Sequence, residues 1–252
     1  MKGARFVGVV LRRADLRTAF PPRFAARLKR RRVARLDRRA KYLLALLSSG
    51  DTLLMHLGMS GSFRVERAVH TVAHDHVVFH MSSGFFVTFN DPRRFGLMDL
   101  LTPAQLARHA TLSRLGPEPL SAAFDAVALA NACRGKKTSL KATLLDQRVV
   151  AGLGNIYVVE ALYLARLSPL RRASTIATPS GAPRPTAFRL AAAIKQVLEE
   201  AIARTSKAYR QSDRFRVYDR AGERCRRSRC TGLILQRTQA GRTSYYCPVC
   251  QH

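Results

Sequence analysis

Residues 225–250, near the C-terminus, read CRRSRCTGLILQRTQAGRTSYYCPVC and contain four of the five cysteines of the chain. Four residues separate Cys225 from Cys230, two separate Cys247 from Cys250, and 16 residues lie between the two pairs. Two close pairs at this spacing place four thiolates around one tetrahedral ion, which is the ligand set of a structural zinc site. The alternative is a pair of disulfides, but nothing in the sequence suggests secretion, and intracellular thiols stay reduced.

The segment between the cysteine pairs is predicted to form a β-hairpin. Its strands are expected at residues 233–235 and 243–246, and residues 239–242 supply the turn. A two-stranded ribbon of this size does not stabilise itself. One structural zinc ion is therefore expected to keep this part of the chain folded.

Basic side chains are concentrated at both ends of the chain. In total, 44 Lys and Arg oppose 16 Asp and Glu, a formal net charge of +28. Residues 1–41 contain 15 Lys and Arg against two Asp, a net of +13, and residues 203–252 contain 12 against three acids, a net of +9. This surplus favours a nucleic-acid partner. A solvated basic surface is the second interpretation, and an anionic membrane is the third, because no amphipathic lysine-rich helix with aromatic anchors is present.

The size and hydropathy of the chain exclude several classes of protein. Its 252 residues are 47% hydrophobic, which excludes a disordered tail and suits one large or two modest domains. The longest mostly apolar run, residues 42–47, is too short to cross a bilayer, and the N-terminus lacks the pattern of a secretory signal. The sequence therefore predicts a soluble intracellular protein.

The hydrophobic pattern changes near residue 102. Before it, strands are predicted at residues 6–11, 41–47, 52–57, 62–66, 76–81 and 85–90, which favours an antiparallel β-sandwich or barrel. After it, helices are predicted at residues 104–109, 121–133, 140–147, 156–166 and 185–204. The predicted fold class is α+β with several domains: a β-sandwich at 1–102, a helical domain at 103–215 and a zinc hairpin at 216–252.

Two glycines join the third and fourth predicted helices. Gly152 and Gly154 permit tight turns, and Asn155 is predicted to cap the next helix, whose first backbone N–H groups would attract phosphate. A lone Gly-x-Gly is more often a plain turn. The motif gains weight from nearby cations that could share one stretch of nucleic-acid backbone: Lys136, Lys137 and Lys141.

Two loops of the β region could insert into a stack of bases. Residues 91–96 read DPRRFG, in which Arg93 and Phe95 could fill a gap and contact bases or phosphates. Taken alone, this motif is better interpreted as a surface turn with Phe95 packed into the core. Met59 follows Gly58 at a predicted loop tip, where an exposed methionine is costly unless it inserts into a partner.

Seven segments in order along the chain resemble the formamidopyrimidine-DNA glycosylase/endonuclease VIII family. They are RRAKYL at 38–43, HLGMSG at 56–61, HDH at 74–76, DPRRFG at 91–96, LGPEPL at 115–120, GLGNIY at 152–157 and the cysteine hairpin. The resemblance implies a β-sandwich, a helix–two-turns–helix domain and a zinc finger that together clamp bent DNA. It also implies a bifunctional base-excision enzyme that removes oxidised bases and nicks the abasic strand.

The resemblance also implies residue roles in binding DNA. Met59, Arg93 and Phe95 would fill the space left by the extruded nucleotide, with Arg93 facing the orphaned partner base. Asn155 matches a phosphate-binding asparagine of the family. The other matches to DNA-contacting positions are His74 and Lys136, as well as Arg93 itself.

Two residues match catalytic positions of the family. Lys41 resembles its lysine for β-elimination and phosphate contact, and Arg242 resembles its arginine for the final elimination and DNA grip. Family members attack with the amine of an N-terminal proline beside a glutamate, whereas this chain opens Met1-Lys2-Gly3. Either the true start lies upstream, or the chain binds damaged DNA without glycosylase chemistry; the presence of Lys41 and Arg242 favours the first interpretation.

The segment at residues 202–217 also departs from the family. It is shorter than the segment that closes over a flipped 8-oxoguanine, so oxidised purines are the first expected substrate class and oxidised pyrimidines the alternative. The expected partner is duplex DNA that contains oxidised bases or abasic sites, and no membrane partner is expected. The protein is further expected to be a monomer in the bacterial cytoplasm, associated with the nucleoid.

Overall fold

A computed structural model describes residues 1–204, 215–239 and 241–252. These residues form two compact units, 1–113 and 114–252. The finer division at 102/103 and 215/216 stays a prediction. No helix in the described ranges combines the length and the apolarity that a bilayer span requires.

The first unit contains two four-stranded antiparallel sheets, which confirms the predicted sandwich. One sheet has the order β1 (Phe6–Leu11), β6 (Asp75–Met81), β7 (Phe86–Asn90), β5 (Ser62–Glu66). The other has the order β2 (Val33–Arg39), β3 (Tyr42–Leu47), β4 (Thr52–His56), β8 (Leu97–Leu101). Two short helices accompany them, α1 (Phe24–Leu28) and α2 (Pro103–Ala107).

The sandwich core consists of apolar side chains from both sheets and from α1. Phe6 and Phe79 meet edge to face with their ring centroids 5.4 Å apart, and Phe89, Leu53 and Met55 are buried in the same cluster. Each such side chain contributes roughly 1.5–3 kcal/mol by leaving water. This packing fixes the ends of the strands and hence the loops that leave them.

Sequence patterns did not predict β2, β8 or α1. In β2 every residue from position 34 to 38 is exposed, so the strand lacks the apolar–polar alternation that indicates a half-buried strand. The strand forms because its backbone pairs with β3 over its whole length, from Val33 opposite Leu47 to Arg39 opposite Tyr42. The types of the residues in β2 do not by themselves indicate this pairing.

The second unit is helical, as predicted, and its helices pack around one core. They are α3 (Ala126–Cys133), α4 (Leu140–Leu145), α5 (Asn155–Leu164) and α6 (Pro185–Ala203). Helix α3 begins later than predicted because the Asp125 carboxylate accepts the backbone N–H of Ala128 at 2.7 Å and caps the helix there. The connection from α4 to α5 gives the helix–two-turns–helix arrangement.

The predicted cap of α5 is wrong. Helix α5 begins at Asn155 itself, and its N-cap is Gly154, which has no side chain to cap with. Gly152 supplies the preceding turn with a φ of 79°, as expected of glycine. The Asn155 amide instead donates to the carbonyl oxygen of Thr243, 88 residues further along the chain, at 3.0 Å.

The C-terminal hairpin consists of β9 (Leu235–Gln239) and β10 (Arg242–Tyr246). The first strand lies further along the chain than the predicted 233–235, because Ile234 is fully buried beneath the hairpin and precedes the ladder. The segment before it is tied to α5 by the buried carboxylate of Glu160, which accepts the backbone N–H groups of Arg216 and Val217 at 2.9 and 2.8 Å. Residues 205–214, the centre of the segment predicted to be short, lie outside the described residues, as does Ala240 in the predicted turn.

An ion pair between the buried Asp75 and the partly exposed Arg64 fixes the start of β6. Arg64 donates two hydrogen bonds of 2.9 Å to the two carboxylate oxygens of Asp75, which also accepts from the Val72 N–H and the Asn90 side chain. Burial raises the pKa of Asp75, but these hydrogen bonds outweigh it and hold that pKa well below its ordinary value of 3.8. Because the folded pKa is the lower one, the stabilisation is present above about pH 4 and is lost as the pH falls further.

Replacing Asp75 should therefore destabilise the sandwich and flatten its acid response. We expect Asp75→Asn to lower the free energy of unfolding by about 3 kcal/mol at pH 7, because Arg64 keeps a half-satisfied charge. Below pH 4 the difference from wild type should shrink. Urea unfolding between pH 7 and pH 3 measures both effects, with the exposed Asp37→Asn as control; an equal loss in the two variants would contradict the role of this ion pair.

Candidate nucleic-acid interface and metal site

One end of the sandwich collects all the site residues predicted in the first unit. They lie in the turn between β2 and β3, in the loop between β4 and β5, just before β6, and in the loop between β7 and β8: Lys41, Met59, His74, Arg93 and Phe95. The strand ends that bear these loops are in register, Tyr42 opposite His56 in one sheet and Asp75 opposite Asn90 in the other. All five side chains are exposed. We call this end of the sandwich the loop end.

The surroundings of Lys41 contain a histidine that stays neutral. The rings of Tyr42 and His56 pack in a tilted arrangement with their centroids 4.9 Å apart, and His56 Nδ1 accepts the backbone N–H of Gly58 at 2.9 Å. Burial lowers the pKa of His56, and the charges of Lys41 and Arg17 lower it further. A neutral imidazole keeps Nδ1 available as an acceptor, so His56 anchors the start of the loop that carries Met59.

The two loops at the loop end are joined by a buried carboxylate. Asp91 is fully buried, and its two oxygens accept the Ser60 hydroxyl at 2.6 Å and the Gly96 backbone N–H at 2.7 Å. The Arg93 N–H donates in turn to the Ser60 oxygen at 3.2 Å. Sequence analysis assigned neither Ser60 nor Asp91 a role; the available signal was an acid placed directly after a strand, between Asn90 and Pro92.

The side chains held by this contact point into solvent. Met59 is 66% exposed and Phe95 is 42% exposed, and the Arg93 guanidinium lies over the Phe95 ring at 4.8 Å from its centroid. The interpretation of Phe95 as a core residue is therefore wrong. The buried ring of Phe89 occupies the space beneath Gly96, the residue that follows Phe95.

In the second unit a buried lysine holds the hairpin. Lys141 is fully buried, and its ammonium donates to the carbonyl oxygens of Arg242 and Thr243 at 3.4 and 3.0 Å and to the Ser244 hydroxyl at 2.8 Å. Burial lowers the pKa of Lys141 to about 8, with a further contribution from the charge of Arg242. The prediction that Lys141 contacts a nucleic-acid backbone is wrong, because its ammonium faces the hairpin and not solvent.

Asn155 and Arg242 meet at the same hairpin. Asn155 uses one amide hydrogen on the carbonyl oxygen of Thr243, and its Oδ1 is buried without a hydrogen-bond partner among the described residues. Arg242, the first residue of β10, is exposed. The structure thus places an exposed guanidinium next to the start of α5, whose Gly154 cap uses no side chain.

Lys136 lies apart from that pair, at a cavity of about 340 Å³ between the end of α3 and α4. Thr143 and Arg148 line the same cavity, and Arg148 is held by Asp146 through hydrogen bonds of 2.8 and 2.9 Å. Lys136 is half-buried. The structure does not group it with the hairpin residues.

The four C-terminal cysteines converge as predicted. Their sulfur atoms all lie within 4.8 Å of one another, with Cys225 and Cys250 3.8 Å apart and Cys230 and Cys247 3.6 Å apart. Four ligands at metal–sulfur distances of about 2.3 Å in a tetrahedron are separated by about 3.8 Å, so the arrangement fits a metal ion. Disulfides would need sulfur atoms about 2.05 Å apart, so the alternative pairing is not the one adopted.

The hydroxyl of Tyr163 lies 3.3 Å from the Cys225 sulfur. Burial raises the pKa of the Cys225 thiol, but the hydrogen bonds that it accepts, first from Tyr163, lower it to about 7. Cys225 is therefore poised to form the thiolate, which binds metal, near neutral pH, whereas burial raises the pKa of Cys247 and Cys250.

Two family models match this chain, one in each of its two compact units. The model of the formamidopyrimidine-DNA glycosylase N-terminal domain matches residues 1–98, and that of the formamidopyrimidine-DNA glycosylase H2TH domain matches residues 115–213. This chain belongs to the formamidopyrimidine-DNA glycosylase family. The resemblance found in its motifs is thereby confirmed.

Relatives in this family cover the whole chain. The formamidopyrimidine-DNA glycosylase of Rhodopseudomonas palustris BisB18 is 54% identical over 275 residues, which span 100% of this chain and 94% of the relative. That of Bradyrhizobium sp. BTAi1 is 53% identical over 276 residues, with the same coverage.

Solved structures agree in fold. The Lactococcus lactis formamidopyrimidine-DNA glycosylase, non-covalently bound to DNA with an abasic (AP) site, superposes with a TM-score of 0.87 at 28% identity, over 100% of this chain and 94% of the other. A family member in complex with DNA containing carbocyclic 8-oxo-G gives the same values. The Thermus thermophilus protein gives a TM-score of 0.82 at 36% identity, over 100% of this chain and 92% of the other.

The contact between the loops can be tested without any ligand. Ser60→Ala removes a donor to the buried Asp91 and the acceptor of the Arg93 N–H, so we expect a loss of about 1–3 kcal/mol in the free energy of unfolding. Amide hydrogen exchange should accelerate at Arg93 but not at Gly96, which keeps its own bond to Asp91. Ser83→Ala in an exposed turn is the control; unchanged exchange at Arg93 would contradict the described contact.

Proposed function

We propose that this protein excises oxidised purines from duplex DNA and then cleaves the abasic strand by β- and δ-elimination. Family membership makes it a base-excision repair DNA glycosylase; the purine preference, the elimination steps and the residue roles are the proposal. The observation that carries it is the collection of exposed cations and apolar side chains at the loop end. A chromosomal substrate also implies that the protein works in the cytoplasm, at the nucleoid.

Met59, Arg93 and Phe95 are proposed to replace the nucleotide that leaves the stack. Extruding a nucleotide costs a few kcal/mol, which inserted side chains recover by contacting the bases left behind. Asp91 and Ser60 fix both loops before DNA arrives, so little ordering entropy opposes insertion. Arg93, already stacked on Phe95, presents hydrogen-bond donors to the partner base.

The phosphates of the damaged strand are proposed to meet Asn155, Lys136, His74 and Arg242. Asn155 keeps one amide hydrogen not used on Thr243, and the N-terminus of the ten-residue α5 adds backbone N–H groups and a favourable dipole. Arg242 supplies a guanidinium, which pairs with phosphate through two parallel hydrogen bonds.

Lys41 and Arg242 are proposed to act in strand cleavage. When an amine attacks C1′ of the damaged nucleotide, the base leaves and an iminium forms, which acidifies the neighbouring C2′ proton. Transfer of that proton to water forms the C2′–C3′ double bond as the C3′–O bond breaks, and a second elimination, which removes the C4′ proton, breaks the C5′–O bond; each step releases a phosphate. An exposed ammonium and guanidinium stabilise those leaving groups.

The four cysteines are proposed to bind one zinc ion with a structural role. All four ligands come from the chain, which leaves no open position for a substrate, and thiolates favour zinc. The Lys141 and Asn155 contacts hold the hairpin at its turn end, and the zinc ion would hold it at its base.

Removing the metal should unfold the hairpin and abolish DNA binding. We expect a chelator, or the Cys250→Ser variant, to release one equivalent of zinc and to increase amide exchange over residues 225–250. Cys133→Ala, which removes a cysteine outside the cluster, should keep its zinc. Metal-free protein that binds an abasic duplex normally would remove the hairpin from the DNA site.

The hairpin and the α5 terminus can be tested by binding to a duplex with one abasic site. We expect Arg242→Ala and Asn155→Ala each to weaken binding by about 1–3 kcal/mol, because each removes a charge-assisted contact. Arg237→Ala, an exposed arginine of the same hairpin, should change affinity far less. Unchanged affinity for both site variants in an anisotropy titration would contradict these phosphate contacts.

The chemistry is tested by borohydride trapping on duplexes with one 8-oxoguanine or one abasic site. We expect the protein to give a covalent adduct on the 8-oxoguanine duplex and to excise that base at least tenfold faster than an oxidised pyrimidine. An adduct on the 252-residue chain would assign the attack to an amine of that chain, its Met1 terminus or Lys41. Tight binding without any adduct would favour the second hypothesis, a non-catalytic damaged-DNA-binding protein, and faster pyrimidine excision would favour endonuclease VIII-type specificity.

A further inference from the structure

A second basic surface lies at the other end of the sandwich. It consists of five exposed cations, which we call the far-end surface: Arg5, Lys29, Arg30, Arg31 and Arg32. None of the five has an ion-pair partner within residues 1–204, 215–239 and 241–252, whereas the neighbouring Arg27 pairs with Asp51 at 3.4 Å. Unpaired charges packed this closely repel one another, which an anionic partner would relieve.

Register places this surface away from the loop end. In β1 and β6, Phe6 opposes Met81 and Leu11 opposes Val77, so Arg5 lies beside Ser82 while His74 lies at the opposite end of the same pair. Strands of six and seven residues separate the two ends by about 20 Å. That distance exceeds the Debye length of about 8 Å at physiological salt, so these charges add little to binding at the loop end.

The far-end surface is concave and its backbone is fixed. Arg5, Lys29, Arg30 and Ser82 line an open cavity of about 570 Å³, together with the start of β1. Ser82 Oγ accepts the Arg5 N–H at 2.9 Å, which leaves its hydroxyl hydrogen to be donated outward. Cavities of about 300–1,000 Å³ are typical of ligand sites.

The cationic segment is held by its main chain and not by its side chains. The Arg30 N–H donates to the Phe6 oxygen at 2.7 Å, and the Phe6 N–H donates to the Arg31 oxygen at 3.0 Å. Arg30 has a left-handed φ of 66°, which costs a residue other than glycine about 1–2 kcal/mol. Buried Phe24 and Leu28 anchor the preceding helix in the core, so the four consecutive cations are presented in a fixed order.

We propose that the far-end surface binds the phosphate backbone of a second DNA segment while a lesion-containing duplex occupies the loop end. Four of its five cations are arginines, whose planar guanidinium matches phosphate geometry, and the cavity admits a backbone without reading base edges. The protein would then pass from one duplex to another without entering free solution. Only the identity of the first duplex rests on the proposed function.

The test uses protein loaded with one equivalent of a duplex that carries a stable abasic analogue, to which a labelled undamaged duplex is added. We expect the loaded wild type to bind the second duplex and the Arg30→Glu/Arg31→Glu variant to bind it at least tenfold more weakly. The slope of log affinity against log salt should fall by about two, from the loss of two phosphate contacts. Arg189→Glu/Lys195→Glu, with the same charge change on α6, should bind within twofold of wild type.

Lesion excision separates this proposal from the proposed function. The Arg30→Glu/Arg31→Glu variant should excise 8-oxoguanine from a dilute duplex at the wild-type rate, because both residues lie far from the loop end. Should that variant fail to fold, Arg31→Gln/Arg32→Gln provides the same comparison without charge reversal. If the wild type bound the second duplex but excised no base, the proposed function would be contradicted. The proposal that the far-end surface binds DNA would still be supported.

Three outcomes would overturn the proposal. In the first, the loaded wild type fails to bind a second duplex. In the second, the wild type and the Arg30→Glu/Arg31→Glu variant bind a second duplex equally well. In the third outcome, a polyglutamate peptide binds the loaded protein in place of DNA, which would identify an acidic protein as the partner.

Discussion

The carboxylate of Asp91 is the point on which the loop end of the sandwich depends. Its side chain holds the loop from β4 to β5 through Ser60 and the start of β8 through Gly96, and its backbone oxygen accepts from His76 on β6 at 2.9 Å. One buried group therefore joins both sheets where they meet. Because each bond would leave a buried polar atom unsatisfied if broken, the loops keep one arrangement, and the exposed Met59 and Phe95 keep theirs.

In the second unit, polar side chains from the helices likewise fix the position of the hairpin. The hairpin is too small to be stable on its own, and polar groups from the helices hold it: Lys141 from α4, Asn155 from α5 and, on the preceding segment, Glu160. The cysteine cluster holds the base of the same hairpin. Arg242 is thus exposed on a rigid support, as a side chain that must meet a phosphate in a fixed geometry requires.

Sequence alone predicted most of the fold, and the five site residues that it named in the first unit lie together at the loop end. Strands such as β1 (Phe6–Leu11) and β5 (Ser62–Glu66) were predicted at their observed bounds, because a short run containing β-branched and aromatic residues is a local signal. The cysteine spacing predicted the metal site for a similar reason. The family motifs supplied the residue roles, which stay predictions.

Two of the incorrect predictions share a cause, which is that the side chain binds a residue far away in the sequence. The Asn155 side chain bonds to a residue 88 positions away instead of capping its own helix, and Lys141 is buried against partners more than 100 positions away. Neither partner can be inferred from neighbouring residues, and a lysine at a helix start is ordinarily solvated. Phe95 is 42% exposed, with its ring beside the Arg93 guanidinium, whereas residue type alone favours burial of a phenylalanine.

The exposed strand β2 has a consequence for behaviour at high concentration. It lies at the edge of its sheet, and Arg35 and Asp37 form an ion pair on its surface at 2.7 Å. Charged side chains along an edge strand disfavour the addition of a strand from another chain. These charges also explain why β2 lacks the apolar–polar alternation that predicts a strand. They protect the sandwich against edge-to-edge aggregation, which is a hazard for any open sheet in a crowded cell.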